Sequence, residues 1–381
     1  MHKRLLGMLL AVLLTAALCL PARAVELELS APSAILMEKS TGEILYEQNS
    51  HEKLPPASVT KVMTLLLVME ALADGRIAWD DTVTASAAAA AKGGSQIYLE
   101  ENEQLPLTEM LKAVVVASAN DCACALAEHI AGSESAFAAM MNARAEALGM
   151  TDTHFVNCTG LDDGADASEH RTTAYDIALM SRELLRHEEI KKYTTIWMDT
   201  VRNGQFGLAN TNKLVRFYDG TTGLKTGFTA AAGYCLAASA ERGGMELIAV
   251  VMHCDTSAHR FEAAKAMLNY GFSSYALAQP PADVQIPSVP VVLGHEEAVT
   301  PVLREAKPVL IDKSLAAQLS SEVSIDPAVT APVEKWQRLG TLTMRAGDGV
   351  IAELPLVAPE AVARLTWWDV FRRLLRGVCM G

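Results

Sequence analysis

The stretch Pro55-Pro56-Ala57-Ser58-Val59-Thr60-Lys61-Val62-Met63-Thr64-Leu65-Leu66-Leu67-Val68-Met69 decides the reading of the fold. Two consecutive prolines interrupt regular structure, because neither ring nitrogen can donate to a helix or a ladder. No glycine or proline follows as far as Ala73, so a helix is expected over about Ser58–Ala73. Its run Val62–Met69 is apolar nearly all round, which places the helix inside a core rather than on a surface. A serine and a lysine stand three residues apart at its start and share one face.

Working outward, residues 33–49 read as two short strands around Ser40-Thr41-Gly42. On the other side, helices are expected at about Leu107–Ala131, Ser133–Leu148 and Thr172–Arg186. Gly149 stops the second of these. Strands follow at about Gly223–Thr229, Gly233–Ala240 and Glu246–His253, then a helix at about His259–Tyr270. Mixed helices and strands around one buried helix indicate an α/β (α+β) catalytic domain. The composition then changes. Ten of the fifteen prolines lie after Gln279, and none lies between Leu107 and Gln279. Residues 284–293, 298–305, 308–312 and 338–358 read as short strands, so a small all-β domain is expected over 280–360.

The chain has 381 residues, 50% of them hydrophobic, and a formal net charge of −13. That fraction excludes intrinsic disorder, and the acidity excludes an ordinary nucleic-acid binder. The charge is uneven. Residues 1–24 carry His2, Lys3 and Arg4, an apolar run Leu5–Leu20, and Ala22-Arg23-Ala24. This is the pattern of a cleaved export signal, and the run is short for a membrane span. Removing its three basic groups from −13 leaves −16. Residues 361–381 carry +3, from Arg364, Arg372, Arg373 and Arg376 against Asp369. Trp367, Trp368, Phe371, Leu374, Leu375 and Val378 recur there at helical spacing, with charges between them. An amphipathic helix lying in a membrane interface is expected, as opposed to one docked on the core. The body, residues 25–360, is left with −19, which is −16 less the +3 of the tail.

Seven cysteines occur, at 19, 122, 124, 158, 235, 254 and 379. They are too sparse for a disulfide scaffold, and Cys122 and Cys124, two apart on a helix, do not face each other. Buried free thiols are expected. No ligand spacing joins them to the nine histidines, so no metal is expected, and no cofactor.

Three short motifs carry the chemistry: Ser58-Val59-Thr60-Lys61, Ser118-Ala119-Asn120 and Lys225-Thr226-Gly227. The first two patterns are individually common; about one or two S-x-x-K tetrads arise by chance in such a chain. Order and placement make the set specific. A serine hydroxyl needs a neighbour to take its proton. A lysine can do so only when burial and other cations lower its pKa, and Lys225 supplies the second cation. Ser118 can relay a proton to a leaving amine, and Asn120 can fix Lys61 and meet a substrate amide. The strand bearing Lys225 can pair with an extended peptide, and Gly227 permits close approach. The N–H groups of Ser58 and Phe228 are candidate oxyanion donors.

With Pro56–Thr64, Ala117–Asp121, Asn142–His154 and Gly223–Tyr234, the sequence resembles the low-molecular-mass penicillin-binding proteins that are serine D-alanyl-D-alanine carboxypeptidases. The likeness covers about residues 30–275. It implies a transpeptidase/β-lactamase-like catalytic domain that removes the terminal D-Ala from peptidoglycan stem peptides. It implies β-lactams as covalent inhibitors, and a place on the outer face of the cytoplasmic membrane. By motif position Ser58 is the acylated nucleophile and Lys61 its base. Ser118, Asn120, Lys225, Thr226, Gly227 and Phe228 complete the site, and Arg260 with Thr226 binds the substrate carboxylate. Phe228 stands where some relatives carry histidine. Two competing readings are a class A-like β-lactamase and a non-catalytic cell-wall sensor. The first needs E-x-x-L-N, and Glu169-His170-Arg171-Thr172-Thr173 lacks the Leu-Asn. The second is disfavoured by intact Ser58, Lys61 and Lys225.

Overall fold

The computed structural model describes residues 27–164, 166–281, 284–305 and 307–380. The expected export signal, with Cys19, lies outside them, as do the side chains of Arg373, Arg376, Val378 and Cys379.

The apolar strand segments build one antiparallel sheet. Strands β1 (Ser33–Glu38) and β2 (Ile44–Gln48) form a hairpin at one edge. Strands β3 (Thr221–Thr229), β4 (Gly233–Arg242) and β5 (Met245–Cys254) complete it in the order β2-β1-β5-β4-β3. Both faces are covered, so β1 and β5 are nearly continuous apolar runs. The period of two then sorts their side chains. Ile35, Met37, Ile248, Val250 and Met252 enter a large core with helix α1 (Lys61–Ala73), α2 (Leu107–Val116), α3 (Asn120–Ala131), α4 (Glu134–Ala147) and α5 (Ala174–Leu184). Ala34, Leu36, Leu247, Ala249 and Val251 face the opposite way, onto Phe261, Met267 and Leu268 of α6 (Ser257–Ser274). Helix α1 is buried nearly all round, as its composition requires.

Two local departures from expectation matter for the site. The helix expected over Leu107–Ala131 is two helices, because Ser118 takes a left-handed conformation at φ +64°. An L-residue pays for that geometry. Bonds from Ala119 N–H to Ala113 O (3.2 Å) and from Asn120 N–H to Ser95 O (2.7 Å) hold the break in place. Similarly, the turn carrying Ser58, Ala57–Thr60, is a 3₁₀ turn that begins at Ala57 with φ +48°, and regular helix starts at Lys61.

Beyond α6, strand β6 (Tyr275–Ala278) pairs with β7 (Val309–Asp312) across the proline boundary. An antiparallel sheet joins Val302–Leu303, β10 (Gly349–Val357), β9 (Arg338–Ala346) and β8 (Leu319–Ile325). Strand β8 was not expected from its sequence, LSSEVSI; it is a largely exposed edge strand, so no buried apolar alternation marks it. A small apolar core holds Val289, Val291, Val333, Leu339 and Val362.

The chain ends in α7 (Trp367–Met380), whose start is capped by Thr366 and Asp369: Thr366 N–H donates to Asp369 Oδ2 (2.9 Å) and Asp369 N–H to Thr366 Oγ1 (3.3 Å). Trp367 (68% exposed), Trp368, Phe371, Leu374 and Leu375 lie on the surface, where a core-docked helix would bury them. No helix among the described residues is long and apolar enough to cross a membrane.

Candidate active site

Half-buried Ser58 sits where the proline-terminated chain turns into α1, while Lys61, one turn on, is 0% exposed. Three acceptors surround Lys61 Nζ: Ser58 Oγ at 3.0 Å, Asn120 Oδ1 at 2.6 Å and the Thr159 carbonyl at 2.8 Å. Burial lowers the Lys61 pKa to about 7. A protonated amine donates to all three oxygens. A neutral one has two N–H groups for Asn120 and Thr159, and its lone pair is left for Ser58.

Asn120 opens α3 directly after the Ser118 break. Its amide nitrogen donates to Gly93 O at 2.7 Å, so its oxygen is oriented toward Lys61. The buried Ser118 Oγ has no protein hydrogen-bond partner. Lys225, on edge strand β3, is 1% exposed, and its pKa is pushed well down by burial, then by Lys61 and Arg260. Beside it, Gly227 is required by packing, since a Cβ there would lie 2.6 Å from Pro56 O and 3.1 Å from Val59 N. The strand thus crosses immediately over the Ser58 turn. Phe228 is exposed and rests on Tyr234, ring centroids 4.3 Å apart.

Arg260, near the start of α6, is only 8% exposed. Its Nη1 donates to Gly227 O (3.0 Å) and Cys235 O (3.3 Å), and its Nη2 to Ser257 Oγ (3.3 Å). Thr226 donates to Thr211 Oγ1 at 2.7 Å. The three motifs and Arg260 therefore meet in one region.

Several contributors escaped the sequence reading. Thr159 is presented by a turn in which Asn157 Oδ1 accepts from Thr159 N–H (3.1 Å) and Gly160 N–H (2.7 Å). Gly160 has φ +81°, and a Cβ there would collide with Ala57 O at 1.8 Å. An Asn followed three residues later by Gly was a usable turn signal. Asp121, the residue after the second motif, accepts from Ile97 N–H (3.0 Å), Leu99 N–H (3.0 Å) and Cys122 N–H (2.9 Å), which pins the loop beside Asn120. His170 Nδ1 accepts from Val156 N–H (3.3 Å), so Nε2 carries the proton that Thr60 Oγ1 receives at 2.8 Å. Burial pulls the His170 pKa down to about 4, with His154 and Arg171 adding to it. The neighbouring Glu169 is exposed.

The five described cysteines are free and buried. No cluster of three or more His, Cys, Asp or Glu side chains suited to a metal occurs among the described residues.

Comparison with known proteins shows what the chain as a whole is similar to. Residues 21–256 match a family described as D-alanyl-D-alanine carboxypeptidase, and residues 281–364 match one described as the C-terminal domain of penicillin-binding protein 5. The chain is 40% identical over 359 residues to the D-alanyl-D-alanine carboxypeptidase DacF of Bacillus subtilis, covering 93% of this chain and 91% of that protein. Penicillin-binding protein 5 of Haemophilus influenzae superposes with a TM-score of 0.78 at 29% identity, covering 89% of this chain and 99% of that one. Penicillin-binding protein D2 of Listeria monocytogenes, solved in its ampicillin-bound form, gives 0.59 at 34% identity, over 65% of this chain and 99% of that one.

Proposed function

The chain belongs to the D-alanyl-D-alanine carboxypeptidase family, and on that premise we propose that Ser58 is acylated when the terminal D-Ala is cut from a peptidoglycan stem peptide. The carrying observation is the triangle of Ser58 Oγ, Asn120 Oδ1 and Thr159 O around Lys61 Nζ. With its pKa near 7, Lys61 is substantially neutral at physiological pH and takes the Ser58 proton as Oγ attacks the penultimate carbonyl. The N–H groups of Ser58 and Phe228 stabilise the oxyanion. Ser118 passes a proton to the departing D-Ala amine, and its otherwise unpartnered hydroxyl fits that task. Water then hydrolyses the acyl-enzyme. Asn120 meets the substrate amide. Lys225, Thr226, Gly227 and Phe228 line the strand on which the peptide lies, and Arg260 and Thr226 serve its terminal carboxylate.

Mass spectrometry of a stem pentapeptide tests this: wild type yields the tetrapeptide, and Ser58→Ala, on the order of 10⁶-fold slower, yields none. A fluorescent penicillin should label wild type and not Ser58→Ala. Persistence of either signal in the variant would refute the assignment. Slow acyl-enzyme turnover is expected. From the 150–172 segment it is His170, held neutral, that meets Thr60, whereas Glu169 points to solvent, and this disfavours a β-lactamase's carboxylate-activated water.

We further propose the division 1–24 export signal, 25–279 catalytic, 280–360 β-rich, and 361–381 an anchor on the outer face of the cytoplasmic membrane. The exposed tryptophans of α7, flanked by arginines, support the anchor. Deleting residues 361–381 should release active enzyme from membranes. Continued membrane binding of the mature truncated chain would sink the anchor.

A further inference from the structure

Residues Asn210-Thr211-Asn212 form a polar bridge between the end of α2, just ahead of the second motif, and β3, which carries the third. Asn212 Nδ2 donates to Gly223 O in β3 (2.9 Å), Asn210 Nδ2 to Ile196 O (2.7 Å), and Thr211 N–H to Val116 O at the end of α2 (3.2 Å). Asn210 Oδ1 accepts from Asn212 N–H (2.8 Å), and Asn212 Oδ1 from Leu214 N–H (3.1 Å). The two asparagines are buried and committed to backbone groups. Thr211 between them is half-buried, and its hydroxyl lies 2.7 Å from that of Thr226. Meanwhile Arg260 Nη1 and Nη2 are directed to Gly227 O, Cys235 O and Ser257 Oγ. A carboxylate arriving at Thr226 therefore competes with Thr211 for the Thr226 proton.

We propose that Thr211 is a positioning residue for the substrate's C-terminal carboxylate. In the free enzyme it accepts the Thr226 proton and fixes the rotamer of that hydroxyl. When the carboxylate docks, Thr226 turns its proton to the anion and Thr211 donates in turn to Thr226 Oγ1, which strengthens the bond to the charge. The inference rests on the Ser58-centred reading of the site.

The experiment compares stem pentapeptide with its C-terminal carboxamide, on wild type, Thr211→Val, Thr211→Ser and Ser58→Ala. Thr211→Val keeps the shape without the hydroxyl. Its kcat/KM for the free acid should fall roughly 10-fold, chiefly through KM, with little change for the carboxamide, so that discrimination between the two collapses. Thr211→Ser should restore discrimination. Equal losses on both peptides, or discrimination kept within about twofold, would overturn the proposal and leave the Ser58 reading standing. If Thr211→Val does not fold, Thr211→Ala is judged by the same ratio. Cleavage surviving in Ser58→Ala would sink the site reading, and this inference with it.

Discussion

The catalytic and β-rich regions are both held by antiparallel sheets, yet they bury different things. Among the described residues, every buried polar or charged side chain lies between Ser33 and Arg260, including Lys61, Lys225, Asn120, Asp121 and His170. The region from Val289 onward has a small core of Val289, Val291, Val299, Ala331, Val333, Leu339, Ala358 and Val362, all apolar. Burying an amine costs several kcal/mol unless it is paired or gives up its proton. A fold that buries two lysines close enough to repel each other's charge is using that cost to set protonation states. Among its described residues the β-rich region buries no polar or charged side chain, and its core is apolar.

The largest expected effect tests that contrast at its centre. Lys61→Met should cut the Ser58 acylation rate about 10⁴-fold, or ~5.5 kcal/mol. It should leave the thermal midpoint unchanged or higher, since an apolar chain of similar length removes a desolvated amine. Stopped-flow labelling with a fluorescent β-lactam, beside calorimetry, reads both. A variant that loses fold and rate together would mean Lys61 is structural.

The buried His170 gives the next effect, and it acts on stability. Its folded pKa of about 4 lies below the ordinary 6.5, so between those values the unfolded chain binds the extra proton. Stability should therefore fall as pH drops from 6.5 towards 4, by ~3 kcal/mol in total through this group. Denaturant unfolding of wild type and His170→Gln across that range should show a shallower loss in the variant; equal slopes would exclude His170 as the source.

A smaller effect per step belongs to Lys61 itself. Between pH 5.5 and 9 the acylation rate should rise and level off, with a midpoint near 7, because the proton-free amine is the active form. Below that midpoint the rate should drop about tenfold per pH unit, ~1.4 kcal/mol. A flat profile would contradict a lysine base.

The smallest catalytic effect should come from the β-rich core. Leu339→Ala should cost about 2–5 kcal/mol of that region's stability and leave kcat/KM for pentapeptide within about twofold. A large loss of activity would show that the two regions are coupled in the way their contrast denies.

Much of this was legible in residue order. The Pro55-Pro56 break, the all-round apolar Val62–Met69 and the i, i+3 spacing of Ser58 and Lys61 are local, and each found its place in the structure. The apolar strands β3, β4 and β5 were found to within three residues at each end. Edge strand β8 was missed because solvent exposure removes the alternation that marks a strand. The break at Ser118 is not legible in the sequence, because alanines flank it and tertiary hydrogen bonds override their helix propensity.

The sequence by itself determined which side chains can do the chemistry, because nucleophile, base and strand motifs are written as residue types at fixed separations. Tertiary structure decided what state those groups are in. The Thr159 carbonyl that holds Lys61 is a backbone atom that any residue at that position could supply, so no residue type announces it. The pKa near 7 comes from exclusion of water by segments far apart in the chain. The burial of Arg260 behind Gly227 and the hydroxyl pair of Thr226 and Thr211 likewise exist only once the chain has closed on itself.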